Sequence, residues 1–340
     1  MKTLLAGTAL AALSLPAVAQ DLSVVGSWSG LPLHKEFEAP FWSETVPAET
    51  GLDVALTTHD QMGLGVGDVF RLLGDGVYDV AMTVADYAVA DAPELEGLDV
   101  PMIAMDAASA RAMVDAAKPL VSDIYADRFN SHVLAVAPYP PQVVFCNAEI
   151  GGLDDLEGLK VRASGRMTAL FLEALGAEGV NVGFAEVPGA LQRGVVDCAV
   201  TGAGSGYSAG WWEVSTHLLP IPLGGWDSVV TAVNLDRWTA LSADEQAALT
   251  ELAESRFEDP AWDVAQDALS NDIACLTGNG ECPAGEARSM TLVEATEDDI
   301  ARAREILLTQ VLPDWAERAG GDWKARWNAS VGAAVGVEIE

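Results

Sequence analysis

From residue 22 onward, short runs of continuous apolar character alternate with stretches whose apolar residues recur every three or four positions, the grammar of strands alternating with helices. Leu22–Gly26, 52–57 and 77–83 read as strands, and 33–46 and 66–74 as helices, the second ending at Gly74. The run Val77-Tyr78-Asp79-Val80-Ala81-Met82-Thr83 is nearly continuous in apolar character, as in a central strand covered on both faces. After a loop over 91–101 rich in Pro, Asp and Glu, Ala107–Phe129 is helical and a second series opens. It has strands over 132–138, 143–147, 159–163, 180–184 and 196–201, with helices over 166–175 and 187–193. Ser242-Ala243-Asp244-Glu245 then starts a helix, with serine as N-cap and glutamate three residues on. Its amphipathic pattern runs to about residue 270 and resumes over 298–316.

Two series of the same grammar predict two α/β domains, and the length agrees, because more than 300 residues exceed what one hydrophobic core usually serves. The first residues are set apart: Met1-Lys2-Thr3 precedes an apolar run over 4–15 and the small-x-small pattern Ala17-Val18-Ala19. This predicts a cleavable signal peptide over residues 1–19 and export of the mature chain. No cysteine precedes the cleavage point and no later stretch reaches eighteen uninterrupted apolar residues, so neither a lipid anchor nor membrane insertion is expected.

Composition narrows the partners. The formal net charge is -33, with only 18 basic residues, which opposes nucleic acid or an anionic membrane surface. Four cysteines are present. Cys275 and Cys282 bracket a turn-rich loop in an exported chain and predict a disulfide; Cys146 and Cys198 lie in apolar, strand-like stretches and are expected as buried free thiols rather than a second bridge. No Cys-x-x-Cys spacing occurs, and His34, His59, His132 and His217 stand apart from one another and from the cysteines, so no metal site and no cofactor is expected.

Candidate chemistry is sparse. Met62-Gly63-Leu64-Gly65-Val66-Gly67 follows a strand and precedes a helix, but the third glycine of a dinucleotide fingerprint would fall on Asp68, whose charge repels a pyrophosphate. Gly202-Ala203-Gly204-Ser205-Gly206 fits neither a P-loop nor a nucleophile elbow. Of ten tryptophans, Trp28 and Trp226 differ from the rest: each follows a strand in a Gly/Ser setting, where a stacking wall of a cleft is expected. Arg162 lies in the apolar strand over 159–163. A guanidinium cannot shed its proton, so there it must meet a structural carboxylate or a ligand's, and composition alone favours the structural pair.

A wider pattern surrounds it. Leu156-Glu157-Gly158-Leu159-Lys160-Val161-Arg162, then Ala174-Leu175-Gly176-Ala177, then Phe184-Ala185-Glu186-Val187-Pro188-Gly189-Ala190-Leu191-Gln192-Arg193-Gly194-Val195-Val196-Asp197 resemble the solute-binding proteins of tripartite ATP-independent periplasmic (TRAP) transporters, DctP type. The resemblance implies a type II-like periplasmic binding-protein fold: two α/β domains with crossover strands and a long domain-spanning helix, closing on a small organic acid. It further implies domain I over 20–135 plus 222–265 and domain II over 136–221 plus 285–316. Between them it places a disulfide-containing connection over 266–284, with a C-terminal segment over 317–340. It makes Arg162 the residue that grips the ligand carboxylate, a bidentate geometry lysine cannot reproduce. Thr201 takes the place of a ligand-facing asparagine; Gln142 stands where some members have a second arginine; Val200 replaces a metal-holding glutamate of a 2-keto-acid branch. With Trp28, Trp226 and Tyr87 as flanking walls, a monocarboxylate with an apolar or aromatic body is expected, and Ser29, Gln61, Thr83, Asp86, Ser164 and Phe184 are further candidates at strand ends. The implied protein is periplasmic, has TRAP membrane subunits as partners and is not an enzyme. A secreted enzyme using the same cleft, or a ligand-sensing module of a receptor, are the alternatives.

Overall fold

The structure, a computed structural model, describes residues 22–340, and the expected signal peptide over 1–19 lies outside the described residues. Eleven strands form among them, nine of which carry at least one valine. In chain order these are β1 (Leu22–Gly26), β2 (Val54–Thr58), β3 (Val80–Val84), β4 (Ser131–Ala137), β5 (Gln142–Cys146), β6 (Lys160–Ala163), β7 (Glu178–Asn181), β8 (Cys198–Gly202), β9 (His217–Leu219), β10 (Val229–Asn234) and β11 (Thr291–Leu292). They form two sheets, ordered β2-β1-β3-β10-β4 and β11-β9-β5-β8-β6-β7. β1 is parallel to β2 and β3, while β10 runs antiparallel to β3 and β4. In the second sheet β6 is parallel to β7 and β8, and β5 is antiparallel to β8 and β9. Every residue of β3, β5, β8 and β10 is buried, as strands covered on both faces require.

The chain passes between the sheets three times. Pro138-Tyr139-Pro140-Pro141 leads from β4 to β5, its prolines favouring extended backbone, and the return from β9 to β10 runs beside it. The Tyr139 amide donates to the Trp226 carbonyl at 3.0 Å and that of Gln142 to Gly225 at 3.1 Å, so the two crossings are hydrogen-bonded to each other. The third passage is the helix Asp259–Thr277. Its Ala261 joins the core on one side of the first sheet and its Leu276 that of the second, so a single helix spans both. Just before it, the fully buried Glu258 is held by the Lys118 ammonium at 2.7 Å, tying it to the helix Ala107–Phe129. The two-domain α/β architecture with crossing strands and a spanning helix is thus present.

Several local expectations shift. Residues expected as one helix over 33–46 stay helical on to Thr50, through turns widened ahead of Pro47. The strand expected over 180–184 is instead β7, which pairs Val180 with Arg162, while Phe184–Glu186 is a tight helical turn. The capping box at Ser242 and Glu245 forms as read. Cys275 and Cys282 are bonded, as their spacing predicts. Cys146 and Cys198 are bonded as well, which corrects the reading of two free thiols: antiparallel register sets them directly opposite on β5 and β8, with Cα atoms 4.0 Å apart. Among the described residues no cysteine is free and no helix is long and apolar enough to cross a membrane.

Candidate functional site

Strand alternation sends Val161 and Arg162 to opposite faces of β6, and Val161 enters the core. Arg162 enters a cleft with a cavity of about 500 Å³, within the range of small-molecule sites. The arginine is only 3% exposed. Its Nε donates to the Val182 carbonyl at 2.9 Å and its Nη1 to the Val200 carbonyl at 2.6 Å. Neither partner carries a formal charge, and among the described residues no carboxylate lies within 4.0 Å of the guanidinium. Two of five N–H groups are therefore spent on fixing the plane of the fork, and three remain. The Trp211 ring lies 5.9 Å from Cζ, a cation–π contact. Burial pulls the guanidinium pKa down from its ordinary value, with Tyr87 and Asp227 opposing.

Aromatic rings continue from that point. Phe184 is 5.4 Å from Trp211 and 5.4 Å from Trp28, so a ring of the second sheet's side meets one that follows β1 across the cleft. Trp28 in turn stands edge-on to His59 at 4.4 Å. His59 is fully buried, with no hydrogen-bond partner at either ring nitrogen, and burial lowers its pKa from 6.5 to about 4 despite the charge of Asp60. The ring is neutral at neutral pH. As pH falls below 6.5 the unfolded chain gains a proton there that the folded chain refuses until about pH 4, so this group's stability contribution is complete above 6.5 and lost across that window. In melting curves taken from pH 7 to 4, His59→Phe is expected to lose stability less steeply than the parent; identical slopes would show that the ring titrates normally.

Trp28, Asp86, Tyr87, Arg162, Ser164 and Phe184, all read from the sequence as candidates, line this one cavity. The others sit elsewhere. Trp226 is a correction: only 3% exposed, it donates its indole N–H to the Ala104 carbonyl at 2.8 Å and packs against Trp262, in the core and not on the cleft wall. Gln61 is exposed in the turn after β2. Ser29 is bound to the Asp60 carboxylate through both its hydroxyl, at 2.5 Å, and its amide. Thr83 and Thr201 are buried within β3 and β8, and the Val200 side chain packs in the core. Among the described residues no group of three or more metal-ligating side chains forms.

Gln142 is buried and donates its Nε2 to the Asp227 carboxylate at 2.9 Å. Asp227 was not a sequence candidate. It follows the buried Trp226 with φ of 42°, left-handed backbone that aspartate accepts more readily than most residues. Burial and the charge of Asp86 raise its pKa to about 7, against the pull of Arg162. Asp86 is itself held well above the carboxylate range by burial and by Asp99 and Glu96. Its carboxylate packs against Gly165, in the loop after β6, where any β-carbon would overlap it.

The profile of bacterial extracellular solute-binding protein, family 7, matches residues 29–281. The C4-dicarboxylate-binding periplasmic protein DctP of Rhodobacter capsulatus is 26% identical over 326 residues, 94% of each chain. Among solved structures, a Bordetella pertussis extracytoplasmic solute receptor, DctP7, binding pyroglutamic acid superposes with a TM-score of 0.79 at 21% identity, covering 92% of this chain and 99% of its own. The periplasmic ectoine-binding protein of the TeaABC TRAP transporter of Halomonas elongata gives 0.79 at 18% identity, covering 93% and 99%.

Proposed function

This chain belongs to the bacterial extracellular solute-binding proteins of family 7, and from that premise we propose that it is the periplasmic receptor of a TRAP transporter that captures a small organic acid by pairing its carboxylate with Arg162. The chain is a solute receptor and not an enzyme. One observation carries the assignment of Arg162: a buried, charged fork lines the cavity, braced by two carbonyls, with no carboxylate of the described residues within 4.0 Å of it. Such a charge is costly unless paired, and a ligand carboxylate supplies the missing partner.

Closure is the working motion. Trp28 and Asp86 come from the first sheet's side, and Phe184, Arg162 and Gly165 from the second's, so a solute between them adds contacts that favour the closed form. The membrane subunits of the transporter are the partners that read this closed form. Relatives bind a C4-dicarboxylate, pyroglutamic acid and ectoine by name; here Arg162 is the buried cation of a cavity that Asp86, the exposed Arg166 and the rings Trp28, Tyr87 and Phe184 also line, and it anchors one carboxylate of a small acid. A thermal-shift screen across mono-, di- and keto-acids tests this reading. The cognate acid at a hundred times its Kd is expected to stabilise the protein by about 2.7 kcal/mol; silence across every carboxylate would overturn it.

A further inference from the structure

Two arginines line the cleft cavity, Arg162 and Arg166, with Asp86 as the one acid of the lining. Their settings differ. Arg162 is buried in β6, whereas Arg166 is exposed to solvent as the first residue of the helix Arg166–Ala174, at the rim of the cavity. Among the described residues Arg166 makes no hydrogen bond, ion pair or ring contact. Glu96, an acid within its electrostatic reach, is already paired with Arg318. The position is also unfavourable for a cation: a helix N-terminus carries partial positive charge, so an arginine in the first turn is repelled by its own helix, and this helix has no side-chain cap to offset it. No pairing accounts for Arg166, and its place on the cavity wall is the feature that gives its charge a use.

We propose that Arg166 is the steering residue of this receptor: it gives the mouth of the cleft the positive sign that draws a carboxylate in, and Arg162 then holds it. The inference rests on Arg162 as the carboxylate anchor. The need for steering follows from charge. With 51 acidic and 18 basic residues the chain has a formal net charge of -33, so its overall field repels the anion it captures. At physiological ionic strength the Debye length is about 8 Å, so acids farther away are largely screened and the charges at the mouth decide the encounter. There Arg166 supplies the exposed cation, and Asp86 offsets little of it, because its carboxylate packs against Gly165 where burial favours the neutral form. A rim charge acts mainly on association and a buried, hydrogen-bonded charge on dissociation, so the two arginines divide the work of binding between them.

The test is stopped-flow tryptophan fluorescence of the full mature chain, with Trp28 on the cavity wall as reporter. The probe is the tightest binder among pyroglutamate, malonate, succinate, pyruvate and benzoate. At an ionic strength of about 10 mM, Arg166→Gln is expected to lower the association rate constant at least about three-fold and Arg166→Glu at least about ten-fold, for one and two units of charge. At about 1 M, where the Debye length is about 3 Å, both differences are expected to vanish. Dissociation should stay within about two-fold of the parent throughout. Arg166→Lys is expected to associate at the parent's rate, because steering reads charge and not the guanidinium fork. Arg166→Glu is expected to melt no lower than the parent, because an acid suits that end of the helix. Association left unchanged by the glutamine and glutamate variants, or slowed equally at both salt concentrations, would overturn this inference and leave the role of Arg162 standing. So would a loss that lies in dissociation and that lysine does not restore, since it would mark a second fork on the solute. Absence of binding by every carboxylate would overturn the reading of Arg162 and this one with it.

Discussion

Replacing Arg162 by alanine is expected to weaken binding of the cognate acid by about a hundred- to a thousand-fold and to leave the empty protein folded. Truncating one partner of a buried, hydrogen-bonded charge pair costs about 2–5 kcal/mol, much of it the penalty for leaving the ligand carboxylate desolvated and unpaired. The fold suffers less, for two reasons. The carbonyls of Val182 and Val200 lose one donor each, about 1–3 kcal/mol per group if no water replaces it. Against this, the variant no longer buries a cation without a charged protein partner, a term that favours the folded state. Arg162→Lys is expected to bind nearly as poorly as the alanine variant. One ammonium is a point charge that cannot hold two carbonyls and both oxygens of a carboxylate at once. Titration calorimetry with a melting curve of each empty variant separates the two effects. Alanine at 162 with unchanged affinity would remove the residue from the site.

What the sequence disclosed and what it withheld divide along a physical line. Arg162 stood out because a cation in an apolar strand violates local expectation, but that pattern alone favoured a structural ion pair, and the ligand-gripping role came only from the resemblance of the motif around it. Trp28, Tyr87, Asp86, Ser164 and Phe184 were legible because ends of strands in α/β folds open onto clefts. The same rule misplaced Trp226, since a glycine-flanked tryptophan after a strand can turn to either face of the chain and only packing decides; here Ala104 and Trp262 claimed it. Its neighbour Asp227 turns instead into left-handed backbone and accepts a hydrogen bond from Gln142. In sequence, Gly224-Gly225-Trp226-Asp227-Ser228 reads as a Gly/Ser setting after a strand in which the tryptophan draws notice, and nothing local singles out the acid beside it. β10 was passed over, although it lies between β3 and β4, because the crossing that precedes it disguises the return to the first sheet. The Cys146–Cys198 bond needed strand register, a relation between residues 52 apart, which local pattern does not carry.

That bond leads to the largest effect on stability. Cys146→Ala with Cys198→Ala is expected to lower unfolding free energy by about 4 kcal/mol, and Cys275→Ala with Cys282→Ala by about 2. The difference follows from loop length: the first bridge spans 52 residues and the second 7, and a longer closed loop removes more freedom from the unfolded chain. The segment between Cys146 and Cys198 includes β6, β7 and both helices between them, so the bridge restrains the unit that carries Arg162. Both sulfur-bearing residues are fully buried in the core, where alanine leaves a small void and adds to the loss. Affinity at 25 °C should change little, because β6 still pairs with β8 and the Val200 carbonyl still holds the guanidinium. Guanidinium denaturation of the two double variants beside the parent measures the ordering. Equal losses from the two bridges would mean that loop closure does not set their worth here, and a fall in affinity comparable to that of Arg162→Ala would mean that the bridge positions the arginine as well as the sheet.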